Sequence, residues 1–433
     1  MTHPESQPFL DSEICRPLDA CRICGSESLS TVIDLGDQHV ATQFVTETVP
    51  DWCTTRYPLR LVRCDAPEGC GLVQLSHTLE PSLLYADYGY RSGINQTMPA
   101  NLAEIVDEAC ALVELRPGDT VLDIGCNDGT LLKGYADALA LDRLGFDPAE
   151  NIARVARAKG LDVVAEPFSG RAFNAVRPER KAKVVTSIAM FYDLPDPMQF
   201  TAEIASVLAA DGVWVIELSY LPSMLSNHSY DTICHEHLEY YALKQIEWML
   251  ERNGLKVHRV AFNDVNGGSF RIFIRHASHP AAVDESGIKV VRQREQELAL
   301  DTDAPFAAFR ETSEASRSAL HTLLSDIRAR GKLTHVYGAS TKGNTILQYC
   351  GIDHTLVPKA ADRNPDKWGR RTLGTNIEII SEDESRAEAP DYFLVLPWHF
   401  LAEFTGREQA FLDRGGKFIL PLPTLRVVGK EDL

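Results

Sequence analysis

Residues 121–130 read Val-Leu-Asp-Ile-Gly-Cys-Asn-Asp-Gly-Thr and give the strongest structural signal in this chain. A short apolar run ends in an acidic residue and a glycine-containing turn, after which a helical pattern begins. Comparable runs, with helical patterns between them, recur at 143–147, 161–164, 183–187 and 213–217. Strands that alternate with helices in this way predict an α/β fold with a parallel, doubly wound, Rossmann-like sheet.

The turn after Asp123 departs from the G-x-G-x-x-G dinucleotide fingerprint, because the third glycine is absent and Asn127 and Asp128 fill the turn. Acidic residues suit a cationic ligand that carries an amino acid, such as S-adenosylmethionine, better than a pyrophosphate. Gly125 lets a ligand approach the backbone. Asp147, about twenty residues further on at the end of the next strand, can accept both ribose hydroxyls. A turn that binds no ligand is the alternative.

The length of 433 residues predicts two or three domains. We expect a small zinc-binding domain over 1–85, the cofactor-binding domain over 86–280, and a C-terminal unit over 281–433. The last unit begins with a stretch at about 284–330 that predicts one or two long helices. It then repeats the strand–helix pattern of a second Rossmann-like α/β domain. Its expected strands are 335–339, 357–362, 392–396 and 417–421.

The composition narrows the possible partners. A formal net charge of −18 repels phosphate backbones, so we expect no nucleic-acid partner. We find no apolar run that could span a bilayer and no signal-peptide pattern at the N-terminus. These observations predict a cytoplasmic protein without a membrane partner, and we expect a monomer.

Cysteines are concentrated near the N-terminus, where six of the ten precede residue 71. Cys21-x-x-Cys24 and Cys64-x5-Cys70 form two pairs, and four thiolates are what a tetrahedral zinc site requires. Such a site is structural, because four protein ligands leave no open position. The second pair is wider than usual, and buried free thiols are the alternative.

Residues 234–237 read Cys-His-Glu-His within a stretch, 230–241, that is rich in proton-transfer groups. The two histidines are two positions apart, whereas the zincin motif H-E-x-x-H needs a spacing of four on one helix face. The stretch therefore indicates either acid–base chemistry or a structural role.

Three further stretches contain candidate substrate contacts. Asn266-Gly267-Gly268-Ser269-Phe270-Arg271 predicts a tight turn that could hold a phosphate. Residues 337–345, which include Lys342 and Asn344, could bind an anion at a helix N-terminus. An aromatic and polar strip, 85–92, could line a sugar site. For each stretch a purely structural role stays open.

In these parts, and over essentially its whole length, the chain resembles the nucleotide-sugar C-3'-methyltransferases that make branched deoxysugars. The resemblance implies an N-terminal zinc-binding domain, a central class I methyltransferase domain and a C-terminal Rossmann-like domain. It also implies a nucleoside-diphosphate 4-keto-6-deoxy sugar as substrate. The Cys-His-Glu-His stretch is the most specific mark, and it implies that His237 is the base with Glu236 beside it.

Three positions depart from the family pattern. Cys234 replaces a tyrosine, Tyr192 replaces a histidine, and Asn266 replaces the histidine of a His-Gly-Gly-Ser turn. All three changes surround the expected acceptor site, so the sugar and the position that is methylated stay open.

The motifs and the resemblance together define four sets of candidate site residues. The catalytic set is Tyr88, Tyr192, Cys234, His235, Glu236 and His237. The cofactor set is Asp123, Gly125, Asn127, Asp128, Asp147, Pro148, Ala189 and Met190. The substrate set is Tyr90, Ser92, Asn95, Asn266, Arg271, Lys342 and Asn344. The zinc set is Cys21, Cys24, Cys64 and Cys70.

The expected reaction starts at a carbon next to a ketone, which is acidic enough for a base to deprotonate once the enolate is stabilised. His237 removes the proton, and the carbanion equivalent attacks the sulfonium methyl group. Two alternatives remain at this point. One is O- or N-methyl transfer on the same scaffold, and the other is a nicotinamide-dependent sugar dehydrogenase.

Overall fold

A computed structural model describes residues 14–46, 55–85, 91–93, 97–263 and 265–432. No helix in these ranges is long and apolar enough to cross a membrane.

The N-terminal region contains six short strands. They are β1 (Cys15–Pro17), β2 (Leu29–Gln38), β3 (Phe44–Val45), β4 (Tyr57–Cys64), β5 (Val73–Leu75) and β6 (His77–Leu79). β2, β4 and β5 form an antiparallel sheet, and β1 pairs with β6. β3 leaves this region and pairs with a strand of the C-terminal sheet.

The central region contains eight strands. They are β7 (Thr120–Ile124), β8 (Asp142–Phe146), β9 (Asp162–Val164), β10 (Ala182–Ile188), β11 (Leu208–Ser219), β12 (Glu239–Tyr240), β13 (Leu255–Asn263) and β14 (Ser269–His276). Seven of them form one sheet in the order β13-β14-β11-β10-β7-β8-β9, in which β14 is antiparallel to its neighbours. The predicted doubly wound sheet of the class I methyltransferase type is confirmed. All five residues of β7 are buried, as expected for a central parallel strand.

The C-terminal region contains seven strands. They are β15 (Thr334–Tyr337), β16 (Lys359–Asp362), β17 (Arg371–Thr372), β18 (Glu378–Ser381), β19 (Tyr392–Val395), β20 (Lys417–Leu420) and β21 (Arg426–Val428). Together with β3 they form a sheet in the order β21-β20-β19-β15-β16-β18-β17-β3. Its five central strands are parallel, which confirms a second Rossmann-like unit.

Helices cover the two large sheets and bridge them. The α-helices are Pro81–Tyr85, Thr97–Leu112, Thr130–Gly134, Glu150–Ala158, Gly170–Val176, Pro197–Val207, Leu221–Ser226, Leu243–Arg252, Glu285–Glu297, Ala304–Ala329, Thr341–Tyr349, Glu382–Ala387, Leu401–Arg407 and Gln409–Asp413. The 3-10 helices are Asp137–Leu139, Phe191–Asp193, Tyr230–Thr232, Val265–Gly267, Pro365–Lys367, Trp398–Phe400 and Lys430–Asp432. Glu285–Glu297 and Ala304–Ala329 are the two long bridging helices that the sequence predicts.

Strands that pair with the sheet of another region join the three regions. β12, which follows the Cys-His-Glu-His stretch, pairs with β5 of the N-terminal sheet. One hydrophobic cluster combines Leu61 of β4, Leu225 of the central region and Ile346 of the C-terminal region. The Cys-His-Glu-His stretch therefore lies where all three regions meet.

Candidate active site and zinc centre

The four predicted zinc ligands come together in the N-terminal region. Their Sγ atoms all lie within 4.8 Å of one another. A hydrogen bond from Cys70 lowers the pKa of Cys21, which favours a thiolate at this position. Gly69 is required here, because a Cβ atom at this position would lie 2.7 Å from Sγ of Cys64. Four convergent thiols fit a structural zinc ion.

The turn after β7, residues 125–129, together with Asp147 forms the candidate site for the methyl donor, and we call it the donor cradle. Gly125 and Asn127 have positive φ angles of 71° and 51°, so the chain turns sharply where β7 ends. Asp147 follows β8 and accepts hydrogen bonds from the N–H groups of Asn127 (2.8 Å) and Ala149 (2.9 Å). Each carboxylate oxygen keeps a lone pair for a ligand hydroxyl. Burial raises the pKa of Asp123 to about 7.

The other predicted cofactor residues lie around the same turn. The N–H of Ser92 donates to Oδ1 of Asn127 (2.9 Å), so the segment 91–93 lies on the turn. Asp128 pairs with Lys159 at 3.0 Å. Met190 packs against Gly125, where a Cβ atom would lie 3.0 Å from the methionine side chain. The two remaining members adjoin these groups; they are Pro148, next to Asp147, and Ala189, next to Met190.

Each region of the chain holds the Cys-His-Glu-His stretch in place. β12 pairs with the N-terminal sheet. From the C-terminal region, Oγ1 of Thr345 donates to the carbonyl of Ile233 (2.9 Å). In the central region, the N–H of Leu238 donates to the carbonyl of Tyr192 (2.8 Å).

His237 has one ring nitrogen fixed and the other available. Nδ1 lies 2.8 Å from the carbonyl of Thr232. Because a carbonyl can only accept, Nδ1 carries the hydrogen and Nε2 keeps its lone pair. The ring lies edge-on to that of Tyr192, with centroids 4.5 Å apart. Burial lowers the pKa of His237 to about 4, and the charge of Lys342 adds to this effect.

His235 and Glu236 face the N-terminal region. Nε2 of His235 donates to the carbonyl of Tyr57 (3.3 Å), and the two rings are edge-on with centroids 6.1 Å apart. Burial lowers the pKa of His235 to about 4. Burial also raises the pKa of Glu236, while the Thr42 side chain counters this rise. Each ring thus donates to a backbone carbonyl, but the second nitrogen of His235, Nδ1, is buried without a hydrogen-bond partner among the described residues, whereas His237 is only half-buried.

The C-terminal region contributes a cation to the site. Lys342 is in the first turn of the helix Thr341–Tyr349, and its pKa is lowered by burial and raised by the charge of Asp231. It therefore lies close enough to Asp231 and His237 for its charge to lower the pKa of both. Cys234 is buried, and burial raises its pKa well above the usual value, so this side chain is a neutral thiol.

Two neighbours of this cation were missed by sequence reasoning. Nε1 of Trp398 donates to Oδ2 of Asp231 (3.1 Å). Burial, with the charge of Lys342, lowers the pKa of His399 to about 3. Both residues follow β19, and side chains after the carboxyl ends of parallel strands often meet a ligand, which was the signal available.

Arg271 is not placed as a phosphate contact. Its Nε donates to Glu217 (2.8 Å), Nη2 donates to Asn101 (2.9 Å), and Nη1 pairs with Glu108. The side chain is only 3% exposed. The arginine instead fastens the helix Thr97–Leu112 to β14, and this environment corrects the sequence expectation.

The side chain of Asn344 also makes a contact within the protein. Its Nδ2 donates to the carbonyl of Ala41 (2.6 Å), which ties the N-terminal region to the C-terminal one. The predicted tight turn is present, since Gly267 and Gly268 have φ angles of 90° and 113°. Tyr88, Tyr90 and Asn95, together with the side chain of Asn266, lie outside the described residues.

Three family models match consecutive parts of the chain. A zinc binding domain matches residues 21–85, a methyltransferase domain matches residues 94–260, and a C-methyltransferase C-terminal domain matches residues 264–423. The chain is also 30% identical over 423 residues to the C-methyltransferase NovU of Streptomyces niveus. That similarity covers 97% of this chain and 99% of NovU.

Solved structures show more distant similarity. The magnesium protoporphyrin IX methyltransferase of Synechocystis, with bound S-adenosylmethionine, is 17% identical and covers 41% of this chain and 79% of that chain, with a TM-score of 0.31. An S-adenosylmethionine-dependent methyltransferase of Clostridium acetobutylicum is 15% identical and covers 45% and 95%, with a TM-score of 0.33.

The full-length similarity to NovU and the three matched domains agree with the class I sheet, the cradle after β7 and the four-cysteine cluster. They favour methyl transfer to carbon over methyl transfer to oxygen or nitrogen and over hydride transfer. The chain therefore belongs to the C-methyltransferase family, and it is an S-adenosylmethionine-dependent C-methyltransferase with a zinc-binding domain.

Proposed function

We propose that this enzyme methylates C-3' of a nucleoside-diphosphate 4-keto-deoxysugar through an enolate, with His237 as the base. The proposal combines the resemblance of the Cys-His-Glu-His stretch to the sugar C-3'-methyltransferases with two contacts of His237, which lies edge-on to Tyr192 and feels the charge of Lys342. A monomeric, cytoplasmic state stays a prediction.

The observation that carries the proposal is the fixed tautomer of His237. The Nδ1–H group donates to the carbonyl of Thr232, and no residue that the structure describes donates to Nε2. With a pKa of about 4, the ring is neutral at pH 7, so Nε2 is free to accept a proton.

A low pKa keeps the base unprotonated but also weakens it, and the expected substrate compensates for this loss. Proton transfer from C-3' to Nε2 leaves an enolate whose charge develops on the C-4' oxygen. An anion that forms beside the ring favours the imidazolium and raises its pKa again. The Lys342 ammonium, placed near His237 and Asp231, can stabilise the same charge.

S-adenosylmethionine supplies the electrophilic methyl group to the enolate carbon. The cradle at Gly125 and the carboxylate of Asp147 would hold this donor at the carboxyl edge of the sheet. Tyr192 and His237 would align the acceptor carbon with it, and alignment is the main contribution that a protein makes to such a transfer. The four-cysteine zinc site is structural and takes no part in this chemistry.

Incubation of the enzyme with methyl-labelled donor and a panel of nucleotide sugars tests the proposal. Each 4-keto-deoxysugar nucleotide is paired with its reduced 4-alcohol, which has no acidic C-3' hydrogen. We expect label only in keto sugars, attached to carbon at C-3'. Label at another carbon would redirect the assignment to that position, for which Cys234, Tyr192 and Asn266 are the variable residues. Equal labelling of ketone and alcohol would contradict an enolate.

A further inference from the structure

Arg22 connects the zinc site to the catalytic stretch. It lies between the zinc ligands Cys21 and Cys24, yet its side chain is only 2% exposed. Its Nε lies 3.5 Å from Oε1 of Glu239, whose side chain is fully buried. Glu239 is two residues beyond His237, so this ion pair joins the metal-binding turn to the base-bearing stretch.

The rest of the Arg22 guanidinium is held in the same region. Nη1 donates to the carbonyl of Leu75 (2.9 Å), and Nη2 donates to Oγ1 of Thr78 (2.6 Å). The N–H of Leu75 in turn donates to the carbonyl of Leu238 (2.8 Å). The guanidinium is therefore fixed by Leu75 and Thr78, whereas both carboxylate oxygens of Glu239 lack a hydrogen-bond partner among the described residues and face the charge of Arg22. Loss of Arg22 would leave this carboxylate buried without compensation.

A second connection reaches the other end of the stretch. The carbonyl of Cys70, a zinc ligand, accepts a hydrogen bond from Nε2 of Gln245 (3.0 Å). Oε1 of Gln245 accepts from the N–H of Ala242 (3.0 Å), at the start of the helix Leu243–Arg252. The segment that follows His237 is thus tied to the zinc site at two points, at Glu239 within β12 and at Gln245 in the helix that follows.

We propose that the zinc-binding domain, residues 21–85, positions the catalytic stretch, and that Arg22 and Glu239 are the positioning residues. A metal site built only to stabilise its own domain does not need a buried ion pair with the stretch that bears the base. Loss of the pair leaves the zinc ligands and the donor cradle intact but releases His237 from its fixed position.

The placement of His237 can be measured without turnover. We would label the histidines with ¹³C at Cε1, assign the His237 resonance with His237→Asn, and compare Glu239→Gln and Arg22→Met with the wild type at pH 7. Arg310→Met is the matched control. Nη1 of Arg310 also donates to the N-terminal sheet, at the carbonyl of Val32 (2.8 Å), but it is hydrogen-bonded to no described residue of the catalytic stretch.

We expect Glu239→Gln and Arg22→Met to shift or broaden the His237 resonance while zinc stays near one equivalent, and Arg310→Met to leave it unchanged. Methyl transfer should fall about tenfold to a hundredfold in the two variants, the usual result of a displaced catalytic group. If Glu239→Gln does not fold, Glu239→Asp, which keeps the charge but shortens the side chain, is measured in the same way. A wild-type His237 resonance in folded, zinc-loaded variants would overturn the proposal.

The catalytic consequence rests on the proposed role of His237, but the placement does not. If the resonance moves while His237→Asn stays active, the positioning stands and the proposed base is wrong. If His237→Asn is inactive while the resonance stays fixed, the base stands and the positioning is wrong.

Discussion

His235 and His237 lie two residues apart in one stretch, but they face different parts of the molecule. His235 donates to the carbonyl of Tyr57 and packs against the N-terminal sheet. His237 donates to the carbonyl of Thr232 within its own stretch, its ring lies edge-on to that of Tyr192, and burial together with the charge of Lys342 lowers its pKa. Burial lowers both pKa values to about 4, so titration alone does not separate their roles. Their surroundings differ: Nδ1 of His235 is buried without a hydrogen-bond partner among the described residues, whereas His237 is half-buried beside Tyr192.

The largest expected effect is the loss of zinc from the N-terminal region, which is the region that His235 contacts. Protein purified without chelator should contain about one equivalent of zinc, and Cys21→Ser should lose it. The N-terminal region should then unfold at a lower denaturant concentration than in the wild type, because metal binding supplies much of the folding energy of so small a unit. Cys15→Ser is the control, since this buried cysteine lies outside the cluster. A folded N-terminal region without metal would contradict the assignment.

On the other face, His237→Ala should lower the rate of methyl transfer by about 10²–10⁴, the usual cost of a missing general base. Binding of S-adenosylmethionine should stay close to the wild-type value, because the ring does not belong to the donor cradle. Rate and donor affinity are measured on the same preparation. A parallel loss of both would show that the substitution disturbs the cradle instead.

The same residue sets the pH dependence. A base must be neutral to act, so the rate should stay level from neutral pH toward acid and fall as pH drops through about 4, the pKa that burial gives His237. A fall near the ordinary histidine pKa of about 6.5, in a protein that stays folded, would show that the ring titrates as an exposed histidine.

The next largest effect is expected on the affinity for the methyl donor. Asp147→Ala removes a buried acceptor and should cost about 1.5–3 kcal/mol of donor binding, roughly a tenfold to hundredfold loss of affinity by calorimetry. Asp362→Ala is the matched control, because Asp362 occupies the equivalent position in the C-terminal sheet. Equal losses in both variants would mean that the donor does not lie in the cradle after β7.

The smallest effect on rate is expected for His235→Ala. This variant should keep methyl transfer within about tenfold of the wild type but lower the free energy of unfolding by about 1–3 kcal/mol, because the carbonyl of Tyr57 loses its donor. Thermal unfolding and rate are compared with those of His237→Ala. An inactive but stable His235→Ala, beside an active His237→Ala, would exchange the two roles.

The parallel strands could be predicted because strands buried on both faces are continuous apolar runs. The apolar run that begins at Val121 was predicted as a strand and is β7, and composition predicted one or two long helices where the structure has two. β3 and β12, of two residues each, could not be predicted, since their pairing partners are far away in sequence. β12 brings the catalytic stretch into contact with the N-terminal sheet, and β3 ties the N-terminal region to the C-terminal sheet.

Local pattern also failed to distinguish two similar turns. The turns at Gly125 and Gly338 both follow a parallel strand, and in both an aspartate after the next strand accepts turn N–H groups. A Cβ atom on Gly338 would lie 2.6 Å from the ring of Pro397, so this glycine serves close packing. Lys367 also pairs with Asp362 at 3.4 Å. Pro397 and Lys367 thus occupy the space at Gly338 and Asp362, so we assign no second donor site to this turn, although Lys342 in the helix that follows belongs to the candidate site.

Exchange of the C-3' hydrogen with deuterated solvent tests the central claim most directly, because it reports proton removal without methyl transfer. The enzyme is incubated in D₂O with the 4-keto-deoxysugar nucleotide and with S-adenosylhomocysteine in place of the donor. We expect deuterium at C-3' with the wild type and with His235→Ala, and none above background with His237→Ala. Undiminished exchange in His237→Ala would show that another group removes the proton and would contradict the account.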